Sequence, residues 1–207
     1  LYGGTRDAAA CDADQLVGFL QANPDKAAAW AGVLGTTVAG IPDLVASLTP
    51  VILTRDTRVT NHGYADGKAT TIPAVLQAGT AVMVDRFGVP RVKCGCGNPL
   101  TEPAPVTTRT RYTGTRWSGF AISTVVVVNV TVRVETFVLV DVATGGLYTR
   151  PPGTSGTDDA DLPDDELCDL FPDDPLCTVE STTTAPTEPP ATEPPATQPT
   201  TPTTEPL

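Results

Sequence analysis

The thirty residues from Thr178 to Leu207 contain eight Pro and eleven Thr, and the remainder is Ser, Ala, Glu, Gln and isolated Val and Leu. Such a stretch offers too little apolar surface to offset the entropy of ordering it, so it cannot contribute to a core. A tandem TEPPA at 187–191 and 192–196 points the same way, toward an extended, partly polyproline-like stalk that could carry O-glycans. Whatever folds in this chain of 207 residues therefore lies upstream of that stalk.

Charge divides the chain in the same manner. Residues 1–157 hold all 13 Lys and Arg against 11 acids, a balance of +2, while residues 158–207 hold 13 acids and no Lys or Arg, a balance of −13; together they make the net −11. A near-neutral body followed by an acidic tail has no electrostatic footprint for phosphate backbones, which argues against nucleic acid as a partner. Composition then divides the chain into a globular domain over 1–153, an acidic linker over 154–177 and a disordered Thr/Pro/Glu stalk over 178–207. No run of 18 or more apolar residues occurs, so no transmembrane helix is expected within the chain. The first residue is Leu rather than Met, which suggests a leader or anchor upstream.

Within the body, helical signals come first. Asp12 can cap a helix carrying Leu16, Val17 and Leu20, which Asn23-Pro24 ends; an Ala-rich helix from Asp25 closes at Gly35, and Pro42 suits the first turn of a third. Trp30 on the second helix is read as core rather than as a ligand platform. From Pro50 the pattern changes to period two, with strands at PVIL, Ala81–Asp85 and Gly88–Cys94, the last two joined by a hairpin through Arg86-Phe87-Gly88. Further strands are expected over Ser118–Val130, Thr131–Val142 and Gly146–Arg150. The fold class that follows is α+β, with short N-terminal helices packed on a mainly antiparallel sheet.

Five cysteines carry the clearest chemistry. Cys168 and Cys177 sit in LCDLFPDDPLC, where no core could shelter two thiols, and a small disulfide loop is expected there. Cys11, Cys94 and Cys96 form an odd set: Cys11 can pair with Cys94 or with Cys96, leaving the third to a partner upstream or in another chain. Together with His62 the same three have the ligand count of a zinc site, but Cys94-Gly95-Cys96 is too tight for the usual spacing and no metal or other cofactor is expected. His62 lies in Thr60-Asn61-His62-Gly63, read as a turn, and no neighbouring residue supplies it with a thiol. The acidic run from Asp158 to Glu166 lacks the spacing of a calcium loop. Neither G-x-S-x-G, S-x-x-K nor a glycine-rich phosphate loop is present.

The best candidate for binding is TRTRYTGTRWSGF, where Arg109, Arg111, Tyr112, Arg116 and Trp117 interleave guanidinium groups with aromatic rings. Arg forks and aromatic faces suit anionic or sugar partners, although arginines on the solvent side of a strand give the same alternation.

Several longer motifs resemble those of an actinobacterial domain of unknown function found in predicted exported or membrane-anchored proteins. They are LYGGTRD at 1–7, Cys11, ANPDKAAAWAGVLG at 22–35, LTPVIL at 48–53, DTRVTNHG at 56–63, VLQAGTAVMVD at 75–85, GVPRVKCGCGNPL at 88–100, and the later WSGF and FVLVD. The resemblance implies an extracytoplasmic domain and no particular activity. With it, the reading that leads is a non-catalytic binding or structural module of the cell envelope, secreted or surface-anchored, whose partner is an envelope glycan or protein. Two alternatives stand beside it: an envelope enzyme using His62 with Asp56 or Asp66, and a subunit of a surface assembly pairing through Val125–Val128.

Overall fold

A computed structural model describes residues 2–105, 111–128 and 132–170. The chain divides into two units, Leu1–Pro163 and Asp164–Leu207. Of the second, the described part is one short helix, α4 (Asp164–Leu170). Cys177 and the whole of the 178–207 stalk lie outside the described residues.

The first unit is α+β. It opens with a short strand, β1 (Tyr2–Gly4), before the three helices α1 (Ala13–Ala22), α2 (Pro24–Leu34) and α3 (Ile41–Ala46). Their boundaries have local causes. The Asp12 carboxylate accepts the Gln15 amide at 2.8 Å and so satisfies one of the orphan donors of α1. Pro24 opens α2, where its missing N–H costs nothing, and Gly35 closes it in the left-handed conformation at φ 68°.

Strands β2 (Thr49–Leu53), β3 (Thr57–Asn61), β6 (Ile72–Leu76), β7 (Ala81–Val84), β8 (Pro90–Lys93), β9 (Asn98–Thr101), β10 (Val126–Val127), β11 (Phe137–Asp141), β12 (Leu147–Arg150) and β13 (Ala160–Asp161) join β1 in one sheet. A separate two-stranded ribbon, β4 (Tyr64–Ala65) and β5 (Lys68–Ala69), lies between β3 and β6 in the chain. The large sheet runs β10-β3-β9-β8-β7-β2-β1-β11-β12-β13, with β6 paired to β3. It is mostly antiparallel; β1 with β11 and β3 with β10 are the parallel pairs. The expected β7–β8 hairpin is present, in the register Met83↔Val92.

Alternation along the strands builds two cores, one on each face of the sheet. Val82 and Val84 join Val51, Leu53, Leu100, Phe137 and Leu139 on one face, while Met83, between them, meets Val92 and the helices on the other. There Trp30, Leu20, Ile41, Val45 and Leu48 form the helical layer, so Trp30 is core, with its indole N–H donated to the Gly97 carbonyl at 2.9 Å. The Cys11–Cys94 disulfide ties the chain just before α1 to the end of β8.

Three expectations are corrected. Ser118–Val130 is not one strand: a turn at Ser118-Gly119, with Gly119 at φ 85°, and a 3-10 turn over Ile122–Thr124 leave two residues, Val126–Val127, paired to β3. Of Thr131–Val142, the strand is Phe137–Asp141. The expected turn at Thr60–Gly63 begins inside β3, a strand whose mostly polar side chains carry little strand signal.

Two buried tyrosines differ in one respect. The Tyr2 hydroxyl donates to the Gly88 carbonyl, whereas the Tyr148 hydroxyl is buried with no hydrogen-bond partner among the described residues. Tyr2→Phe should cost about 1 kcal/mol because it orphans that carbonyl, and Tyr148→Phe should be neutral or stabilising. Urea denaturation of the two variants checks the contrast; a larger loss from Tyr148→Phe would contradict it.

Candidate functional site

The candidate site grows out of β3 and the long excursion that leaves the sheet after β9 and returns at β10. Val59, Ala74 and Leu76 belong to the inner core, so by alternation Arg58 on β3 and its cross-strand partner Val75 on β6 project to the opposite face. Over this face lie Pro103-Ala104 and residues 111–120. The Arg58 Nη2 donates to the Ala104 carbonyl at 3.3 Å, and the returning chain is stitched back by the Val126 amide, which donates to the Asp56 carbonyl at 2.9 Å.

Asp56, only 8% exposed, anchors the excursion. Its Oδ1 accepts the Ala78 amide at 2.8 Å and its Oδ2 accepts the Trp117 Nε1–H at 3.2 Å. With its nitrogen held, Trp117 packs edge-on against Phe120 at 4.9 Å between centroids, and Tyr112 meets the same ring at 5.7 Å. The Arg116 guanidinium lies 5.9 Å from the Phe120 centroid, within cation–π range.

Between this aromatic group and the β3–β6 face is a groove of 420 Å³, inside the ~300–1,000 Å³ range of small-molecule sites. Arg58, Arg111, Tyr112, Arg116, Trp117 and Phe120 line it, and no described Asp or Glu does. Arg6, Arg91 and Arg150 each have a carboxylate within 4.0 Å; the three groove arginines have none among the described residues. Four of the five residues singled out in the sequence thus meet in one groove, and Arg109 lies outside the described residues. Reasoning from sequence missed Arg58, Phe120 and the anchoring role of Asp56. WSGF hinted at Phe120, but nothing local links Asp56 to a Trp 61 residues away.

The remaining sequence candidates fall elsewhere. Asp56 is committed to Ala78 and Trp117, and Asp66 sits exposed at φ 51° in the β4–β5 turn. The His62 Nε2 lies 2.9 Å from the Thr101 hydroxyl. His62 and Cys96 share the wall of a small hollow of 70 Å³ whose described lining contains no carboxylate. Desolvation lowers the His62 pKa, against a backbone hydrogen bond with Thr70 that raises it. Cys11 and Cys94 are joined, which removes both sulfurs from the four-ligand zinc set; Cys96 is free and exposed. Cys168 is disulfide-bonded, and its expected partner Cys177 is outside the described residues. Among the described residues no His, Cys, Asp or Glu cluster gathers to hold a metal, and no single helix is long and apolar enough to cross a membrane. In Val125–Val128, Val127 is exposed and Val128 is buried.

The family described as domain of unknown function DUF6777 matches residues 1–153, which is most of the chain. The chain belongs to DUF6777. Comparison with curated proteins and with solved structures finds no match. Every groove residue named above lies within the matched span.

The single histidine of this DUF6777 domain gives a clean pH prediction. A folded-state pKa below the unfolded value of about 6.5 means that the unfolded chain binds the proton first. Stability should therefore fall as pH drops through about 6.5, and His62→Gln should flatten that part of the profile. Thermal denaturation between about pH 7.5 and 5.5 checks it, and an equal slope in the variant would refute the assignment.

Proposed function

We propose that this DUF6777 domain is a non-catalytic, extracytoplasmic binding module of the actinobacterial cell envelope, with the groove as its recognition site and the Thr/Pro-rich tail as a spacer. The observation that carries the reading is the groove: three guanidinium groups without carboxylate partners among the described residues, beside three mutually packed aromatic rings of which Trp117 is hydrogen-bonded to Asp56. Arginines without carboxylate partners give the groove a local positive charge, and their planar forks beside aromatic faces suit an anionic partner. The Cys11–Cys94 disulfide supports an oxidising compartment, where such bonds persist.

The test presents the full chain to a panel of immobilised envelope glycans and envelope proteins. Retention on at least one of them is expected, weakened about tenfold or more by the double substitution Arg111→Ala/Arg116→Ala, which changes two exposed side chains and leaves the fold intact. Retention unaffected by that substitution would remove the groove from the reading, and no retention on any member would remove the binding function.

A further inference from the structure

We infer that the groove takes an acidic polysaccharide: a chain of sugar rings bearing carboxylate or phosphate groups. The inference rests on the groove being a binding site and adds the chemical class of its occupant.

Charge selects an anion. Three guanidinium groups reach one groove of 420 Å³ without a described carboxylate in its wall, so the local positive charge favours an anionic occupant over a neutral one. Arg58 is oriented by Ala104 and Arg116 by the Phe120 ring, which leaves fork geometry available for bidentate contact with carboxylate or phosphate oxygens.

The aromatic rings then select among anions. Tyr112, Trp117 and Phe120 interlock edge to face, and the tether from Trp117 to Asp56 fixes the indole, so the groove presents a rigid apolar surface with Thr113 and Thr115 hydroxyls close by. A sugar ring matches that combination, with C–H groups for the rings, hydroxyls for the threonines and a pendant anion for the arginines. An extended acidic peptide is a poorer match. Its affinity would come from main-chain pairing along a strand edge, and Pro73 removes a donor from β6. An acyl chain is poorer still, because three guanidinium groups and two threonines interrupt the lining.

Calorimetric titration of the full chain tests this with four probes: oligogalacturonate, its carboxyl-reduced neutral counterpart, a phosphomannan oligosaccharide and polyglutamate of matched charge. Oligogalacturonate or phosphomannan should bind, and whichever binds more tightly identifies the anion. Carboxyl reduction, replacement by polyglutamate, Arg111→Ala and Arg116→Ala should each weaken binding about tenfold or more. Trp117→Phe should also weaken it, through loss of the Asp56 tether; a circular dichroism spectrum like that of the parent shows that the fold is kept. Equal binding of the neutral glycan, or of polyglutamate, with both still sensitive to Arg111→Ala, would overturn the acidic-glycan assignment while leaving the groove as a site. Binding of any probe that is indifferent to both arginine substitutions would overturn the assignment and the groove together.

Discussion

Replacing Asp159 with Asn should lower the unfolding free energy by about 3–5 kcal/mol, the loss expected when a buried ion pair is broken from one side. The Asp159 and Arg150 side chains are both 0% exposed. The Arg150 Nε and Nη2 donate to the two Asp159 oxygens at 2.7 Å each, Nη1 donates to the Pro50 carbonyl at 2.8 Å, and Nη2 also reaches the Ala8 carbonyl at 3.0 Å and the Thr5 carbonyl at 3.2 Å. One guanidinium thus joins β2, the 5–8 turn and the segment that leads into β13. Neutralising Asp159 leaves that cation buried with carbonyls alone, and for a domain of this size the cost corresponds to a fall in Tm of roughly 10 °C. The control is the other ion pair on the same segment. Asp161 pairs with Arg6, but its side chain is 83% exposed, so Asp161→Asn should cost under about 1 kcal/mol. The double substitution Arg150→Met/Asp159→Leu should cost less than the two single changes summed, because it removes both charges together. Comparable losses from Asp159→Asn and Asp161→Asn in thermal melts would contradict this account.

Arg150 and Asp159 also show where sequence reading stops. Arg150 stands at the end of an expected strand, and Asp159 is the second residue of a run of acids that reads as solvated linker. Nothing local distinguishes Asp159, whose side chain is buried, from Asp158 and Asp161, which are exposed. The first unit accordingly packs through Pro163, beyond the family match that ends at 153.

Elements with local causes were legible. The Asp12 cap, the Pro24 start and the Gly35 stop bound α1 and α2, and the alternation around Met83 with a glycine-containing turn yields the β7–β8 hairpin. Elements with distant causes were not. β1 contains Gly3 and Gly4, poor strand formers, yet it lies between β2 and β11. A Cβ on Gly3 would stand 2.8 Å from the Val140 carbonyl oxygen, so glycine is there for the close approach of another strand. Conversely, Val125–Val128 is as apolar as a strand can be, but the preceding turns allow it two paired residues. The site shows the same division. Interleaved Arg and aromatic residues within one segment could be read directly, whereas Arg58 on β3 and the Asp56 tether required the tertiary fold.

The disulfide carries the second large effect. Cys11 and Cys94 are 83 residues apart, and closing a loop of that length removes enough unfolded-chain entropy to stabilise the domain by about 4 kcal/mol in the chain-entropy model. Cys11→Ala/Cys94→Ala should therefore shift the urea midpoint downward by nearly as much as reduction of the parent protein does. Reduction should have little further effect on the first unit of that variant. The helical layer feels the change first, because both half-cystines pack against the core that holds Leu20, Trp30 and Met83. Cys96→Ser is the discriminating control. This thiol is exposed and unpaired, so its removal should leave stability unchanged. Alkylation of the unreduced parent, followed by peptide mapping, should label Cys96 and none of Cys11, Cys94 and Cys168. Label on Cys94 with Cys96 protected would mean that Cys11 pairs with the other member of Cys-Gly-Cys. The stability loss would then move from Cys94→Ala to Cys96→Ser.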